Sequence, residues 1–170
     1  DAVDAIPGGG FCLSAGGQCT LRAAIMEANA LPGADIIYLP AGVFTLTIGG
    51  ADNASAMGDL DITDDVTIQG DDPGSTYIDA GDIDRVLDVR SGVVSVNDAT
   101  LRNGTASDGG GVRIAGGATL DLYRIEVADK TIEIAGSRLE NGRYTARLDG
   151  EAGRWRCRVD EAHVFLHDGE

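Results

Sequence analysis

Three ten-residue stretches carry the same apolar pattern, and this repeat constrains the fold more than any other feature of the chain. In 94–103, 120–129 and 132–141 an apolar residue stands at positions 1, 3 and 8, and Asn or Asp stands at position 10. The apolar members are Val94, Val96 and Leu101, then Leu120, Leu122 and Val127, then Ile132, Ile134 and Leu139. The first two copies start 26 residues apart, a length suited to one coil of a solenoid whose apolar positions stack from coil to coil. The second and third start only 12 apart, so either a coil is cut short near Asp129 and Lys130 or residues are missing there.

Upstream of the repeat, short apolar runs continue the series at 36–39, 43–48, 60–62, 66–68, 76–78, 86–89 and 93–96. Turn-forming segments rich in Gly and Asp separate them, and the 25 Gly residues show no three-residue period, which excludes a collagen-like chain. The runs are too short, and long helices too scarce, for a doubly wound α/β fold. The expected fold is all-β: a right-handed parallel β-helix with a short N-terminal capping α-helix. Three parts follow, with an arm and helix over 1–34, coils over 35–129 and a divergent coil or cap over 130–170.

The helix is expected directly after Thr20, which can cap its first turn. Leu21, Ala24, Ile25, Ala28 and Leu31 form an apolar stripe, Arg22, Glu27 and Asn29 are expected to face away, and Pro32-Gly33 ends it. So short a helix needs something to lie against. It either covers the open end of the strands or packs beside them.

Cys12 and Cys19 flank a short flexible loop that can close as a disulfide, which points to an oxidising compartment. Metal binding is the competing use, but no His lies nearby. Cys157 is left over, either buried and inert or bonded to something outside this sequence.

The stretch Cys19-Thr-Leu-Arg-Ala-Ala-Ile-Met-Glu-Ala-Asn29 resembles the segment that names the CSLREA-domain proteins, with Thr20 where Ser is common and Ala23 where Glu is common. The segments 33–46, 58–62 and 109–114 are similar to such proteins as well, so the resemblance spans about residues 10–125. It implies a right-handed parallel β-helix with an N-terminal cap, exported from a bacterial cell. It carries no catalytic residues to transfer.

The net charge of −15 argues against nucleic-acid and anionic-membrane partners, and no apolar run approaches the length of a transmembrane segment. Eleven Asp and only Arg85 and Arg90 fall within 51–90. Asp59, Asp61, Asp64 and Asp65 are the candidate metal ligands, with Ca2+ as the candidate cofactor because it takes hard oxygen donors. The alternative is a solvated acidic face, since Asp is also a good turn residue.

Asp59 with Asp61, or Asp82 with Asp84, could serve a polysaccharide lyase or glycoside hydrolase. Residues i and i+2 of one strand lie roughly 6.6 Å apart on the same face. Arg85, Arg90 and Arg102 are the basic candidates there, and no aromatic sugar platform is evident. His163 and His167 lack a third ligand for a zinc site, and Gly8–10 and Gly109–111 read as turns. Six of the 12 Arg lie within 138–158, and Tyr144, Trp155, Arg156, Arg158 and Phe165 form the candidate interface. The expected role is a non-catalytic extracellular module, structural, adhesive or part of a larger assembly. Its partners would be other surface proteins or cell-surface polysaccharide, and its location secreted, periplasmic or on the cell surface.

Overall fold

The computed structural model describes residues 1–106, 110–115 and 118–127 and four later strands, with side chains described as far as residue 123. It is a parallel β-solenoid of about three turns with one N-terminal helix, α1 (Leu21–Ala30). The first turn holds β1 (Asp35–Leu39), β2 (Gly42–Thr45) and β3 (Leu60–Ile62). The second holds β4 (Val66–Gly70), β5 (Thr76–Asp79) and β6 (Leu87–Val89). The third holds β7 (Val93–Asn97), β8 (Thr100–Arg102) and β9 (Val112–Ile114). Below them lie β10 (Thr119–Val127) and β11 (Ile132–Ile134).

Each turn adds one strand to each of three parallel stacks. The first stack is β1-β4-β7-β10, the second β2-β5-β8, and the third β3-β6-β9-β11. The long β10 runs on beneath β8 as well, which joins the first two stacks into one sheet. In the turn above, Asp98 breaks that path by taking a left-handed backbone (φ 53°), a conformation Asp tolerates better than most residues. β12 (Tyr144–Ala146) pairs antiparallel with β11. β13 (Trp155–Asp160) pairs antiparallel with β10 and with β14 (His163–Asp168).

The 26-residue spacing is the stacking register. Leu120 pairs with Val94, Leu122 with Val96 and Val127 with Leu101. Val94, Val96, Leu101, Leu120 and Leu122 are all buried, while the side chains of Val127, Ile132, Ile134 and Leu139 lie outside the described residues. Alternation puts every second residue of a strand into the core, so Val66–Val94–Leu120 and Ile68–Val96–Leu122 form continuous apolar columns. Each such side chain contributes roughly 1.5–3 kcal/mol by leaving water.

The third repeat copy falls on a different stack from the first two. Ile132 pairs with Val112 and Ile134 with Ile114, so it continues the third stack. The passage from first to third stack takes 12 residues here, from Leu120 to Ile132, against 18 from Val94 to Val112 in the turn above, so this turn is shorter.

The helix covers the open end, packing on β1 and β3 with Leu21, Ile25 and Ala28 in the core. Thr20 is its N-cap and accepts a hydrogen bond from the Ala23 amide (3.1 Å). Cys12 and Cys19 form a disulfide just before it.

Arg22, Glu27 and Asn29 do not face away. Arg22 and Glu27 are buried, and Asn29 is half-buried. The capped end of a solenoid leaves backbone groups of its end strand, and of the loop and arm beside it, without strand partners, and these side chains supply them. Asn29 donates to the Asp61 carbonyl (2.7 Å) and accepts from the Thr63 amide (2.8 Å). The Glu27 carboxylate accepts from the amides of Gly8 and Gly10, so that glycine turn serves as an anion-binding loop for the helix.

Candidate functional site

The acidic stretch resolves into an ionic ladder on the outer face of the third stack. Leu60 and Ile62 point into the core, so Asp61 between them points outward; Asp88 does the same between Leu87 and Val89. Asp61 pairs in register with Asp88, and Asp88 with Arg113. Adjacent strands lie about 4.8 Å apart, so two carboxylates and a guanidinium follow one another down the face.

Arginines brace this column. Arg113 grips Asp88 with two nitrogens, Nε at 3.0 Å from Oδ1 and Nη2 on Oδ2. Arg90 Nη1 donates to Asp88 Oδ2 at 2.9 Å and lies 3.5 Å from Asp61 Oδ1. One step before the strands, Arg85 Nε donates to Asp59 Oδ2. The 49–59 excursion folds over the ladder, and Ser55 donates its amide to Asp61 Oδ2 (3.2 Å) and its hydroxyl to the Asp61 carbonyl (2.6 Å).

Behind the excursion Arg22 is fully buried. It donates to the carbonyls of Ser55 (2.8 Å), Gly58 (2.7 Å) and Asp59 (3.2 Å) and to the carboxylate of Asp1 (2.8 Å). The same Asp1 carboxylate accepts the amides of Thr47 and Ile48.

Burial is the largest influence on these acids. It pushes Asp61 up to about 7, helped by repulsion from Asp59 and Asp88 and opposed by the Ser55 amide and Arg90. It pushes Asp59 up to about 6, helped by Asp84 and Asp88 and opposed by Arg85. Asp79, on β5, behaves differently. Burial raises it, but hydrogen bonds from Asn103, the Gly81 amide and Arg102 outweigh that and hold it below the ordinary carboxylate range.

Groups poised near neutrality are candidates for proton transfer, but these are closed off. Asp61 is 0% exposed and Asp59 4%, so neither presents a carboxylate to a substrate. The other sugar-chemistry pair is split. Asp82 is exposed in a turn with φ 58°, while Asp84 accepts the Arg85 amide at its Oδ1 (2.8 Å).

Of the four candidate metal ligands, Asp59 and Asp61 belong to the ladder and Asp64 and Asp65 to the following turn. There Asp64 accepts the Asp65 amide and Asp65 accepts the Val93 amide. Among the described residues no three carboxylate, His or Cys side chains gather as metal ligands. Tyr144, Trp155, Arg156, Arg158 and Phe165 fall on β12, β13 and β14, and their side chains lie outside the described residues. Sequence reasoning missed Ser55, Arg22 and Asn29. The last two are seven residues apart, which places them on one face of a helix, and that spacing was the available signal.

Fold and ladder together define a parallel β-solenoid scaffold, capped by a helix and stapled along one outer face by ion pairs. No helix among the described residues is long and apolar enough to cross a membrane. In comparison with known proteins the chain matches no family model, no curated protein and no solved structure.

Proposed function

We propose that this chain is a non-catalytic structural module of an exported protein, a stiff β-solenoid that presents its outer faces to another surface protein or to polysaccharide. The burial and engagement of Asp59 and Asp61 carry this reading. The carboxylates best placed for sugar chemistry are instead used to hold one face of the scaffold together. The Cys12–Cys19 bridge supports an oxidising compartment, where such bonds persist.

The test is direct incubation with a panel of neutral and uronate-containing polysaccharides, with and without Ca2+, from acidic to alkaline pH. New reducing ends and the absorbance of unsaturated uronate products are followed. The expected result is no product above a heat-treated control. Product formation that disappears in Asp61→Asn would overturn the scaffold reading and make the ladder an active site.

A further inference from the structure

The outer face of the first stack differs chemically from the ionic ladder. Its outward positions fall in three register columns, Val93–Thr119, Ile36–Thr67–Ser95–Asp121 and Tyr38–Gln69–Asn97–Tyr123. In the third column two tyrosines bracket two side-chain amides. Tyr38 is 72% exposed and Tyr123 43%. Three strand spacings separate them, about 14 Å.

The amides between are held in place. Asn97 Nδ2 donates to Gln69 Oε1 (3.2 Å), and Gln69 Nε2 donates to the Gly70 carbonyl (2.7 Å) and to Asp98 Oδ2 (2.9 Å). Beside them run the hydroxyl-bearing Thr67 and Ser95 and the exposed Ile36.

We infer that this face is a binding platform for an extended, neutral polysaccharide chain. The inference rests on the reading of the chain as a presenting scaffold and names what one of its faces takes. Sugar rings offer apolar C–H faces and a rim of hydroxyls. Exposed tyrosines match the former with a ring face and the latter with a phenol, while fixed amides and hydroxyls give and accept hydrogen bonds. Preorganised groups lose little entropy on binding.

Charge selects among occupants. In a chain of net charge −15, the described outward positions of these four strands hold no Lys or Arg and one acid, Asp121. None of the described side chains in these columns would neutralise a uronate polymer or a phosphate backbone, and the one acid, Asp121, stands in register with Arg158 of β13. Ile36 and Val93 are the exposed aliphatics of this face, and they stand on different strands in separate columns, too scattered for the apolar core of a protein interface.

The experiment is affinity electrophoresis of the whole chain through gels containing linear neutral glucans, mannans or galactans, or uronate polymers, followed by calorimetric titration with hexasaccharides of any polymer that retards it. Retention by a neutral polymer and not by uronates is expected. Tyr38→Ala and Tyr123→Ala should each weaken binding at least about fivefold, the loss of one ring contact. Tyr38→Phe should retain most of it. Tyr77→Ala, on the second stack where the ring lies beneath Arg102, should leave it unchanged.

Tyr38 stands on the first strand of the stack, so its variant keeps the test informative should Tyr123→Ala melt early. No retention by any neutral polymer overturns the inference, as does preference for uronates or binding indifferent to both tyrosines. Self-association abolished by Tyr38→Ala would also overturn it, by making the face a contact between copies. Each of these leaves the scaffold reading standing; only cleavage of the polymer removes that.

Discussion

Asp61 and Asp88 pair in register across β3 and β6, two buried carboxylates one strand spacing apart with Arg113 next in line. Like charges opposite each other destabilise a sheet unless something intervenes. Here the arginines neutralise Asp88 more completely than Asp61, whose Oδ1 makes no hydrogen bond. The folded protein therefore favours a proton on Asp61.

That proton makes stability depend on pH in a definite direction. The folded values of about 7 for Asp61 and about 6 for Asp59 lie above the unfolded value near 3.8. Between those limits the native state binds more protons than the unfolded chain, so stability falls as pH rises from about 4 to about 7. Asp61→Asn removes one of the two titrating groups while keeping its shape. The difference between wild-type and variant unfolding free energies should shrink across this window by on the order of 2 kcal/mol in the variant's favour as pH rises. Urea titrations at a series of pH values measure it; a constant difference across the window would refute the assignment.

The core, the capping helix and the Cys12–Cys19 bridge were legible in the sequence, and the polar contacts of the capped end and the outer faces were not. Val94 with Leu120 and Val96 with Leu122 could be matched because stacked coils bury the same positions, so stacking leaves a period in the chain. The stack that the Ile132 copy joins was not legible, because all three stacks alternate in the same way and an apolar-polar-apolar triplet does not say which stack it joins. The acidic stretch was visible as composition. Which acids meet depends on the pairing of Asp61 with Asp88, and the inward neighbours Leu60 and Leu87 fix that register. Arg22 and Asn29 read as solvent-facing because a sequence does not display the unpaired carbonyls at the end of a solenoid.

Gly70 marks a place where the coil leaves no room for a side chain. A Cβ there would sit 2.1 Å from the Asp98 carbonyl oxygen and 3.2 Å from the Thr76 Cγ2. Gly70→Ala must displace backbone at the corner between β7 and β8, with an expected cost of about 1–3 kcal/mol. Gly49→Ala meets nothing within 4 Å and should change stability by no more than about 0.5 kcal/mol. Chemical denaturation of both variants decides the point, and equal effects would contradict the packing described for this corner.

Arg22 is the residue on which the capped end depends most. Its guanidinium satisfies three buried carbonyls along 55–59 and one carboxylate, and burial lowers its proton affinity while Asp52, Asp59 and Asp61 act in the opposite direction. Truncation to Ala removes the charge that these acids face and leaves the carbonyls without donors. The expected loss is about 3–5 kcal/mol, as when one partner of a buried pair is removed. Lys carries the same charge on a single ammonium and cannot reproduce the planar set of donors, so Arg22→Lys should recover less than half of that loss. Asn29→Ala leaves the Asp61 carbonyl with the Ser55 hydroxyl alone and the Thr63 amide without its side-chain acceptor, and should cost about 1–3 kcal/mol. It also bares an unpaired strand edge, so the variant should self-associate at concentrations where wild type does not. Equilibrium unfolding and sedimentation velocity together test the set. An Arg22→Ala protein within about 1 kcal/mol of wild type would show that the helix holds the end by its apolar face alone.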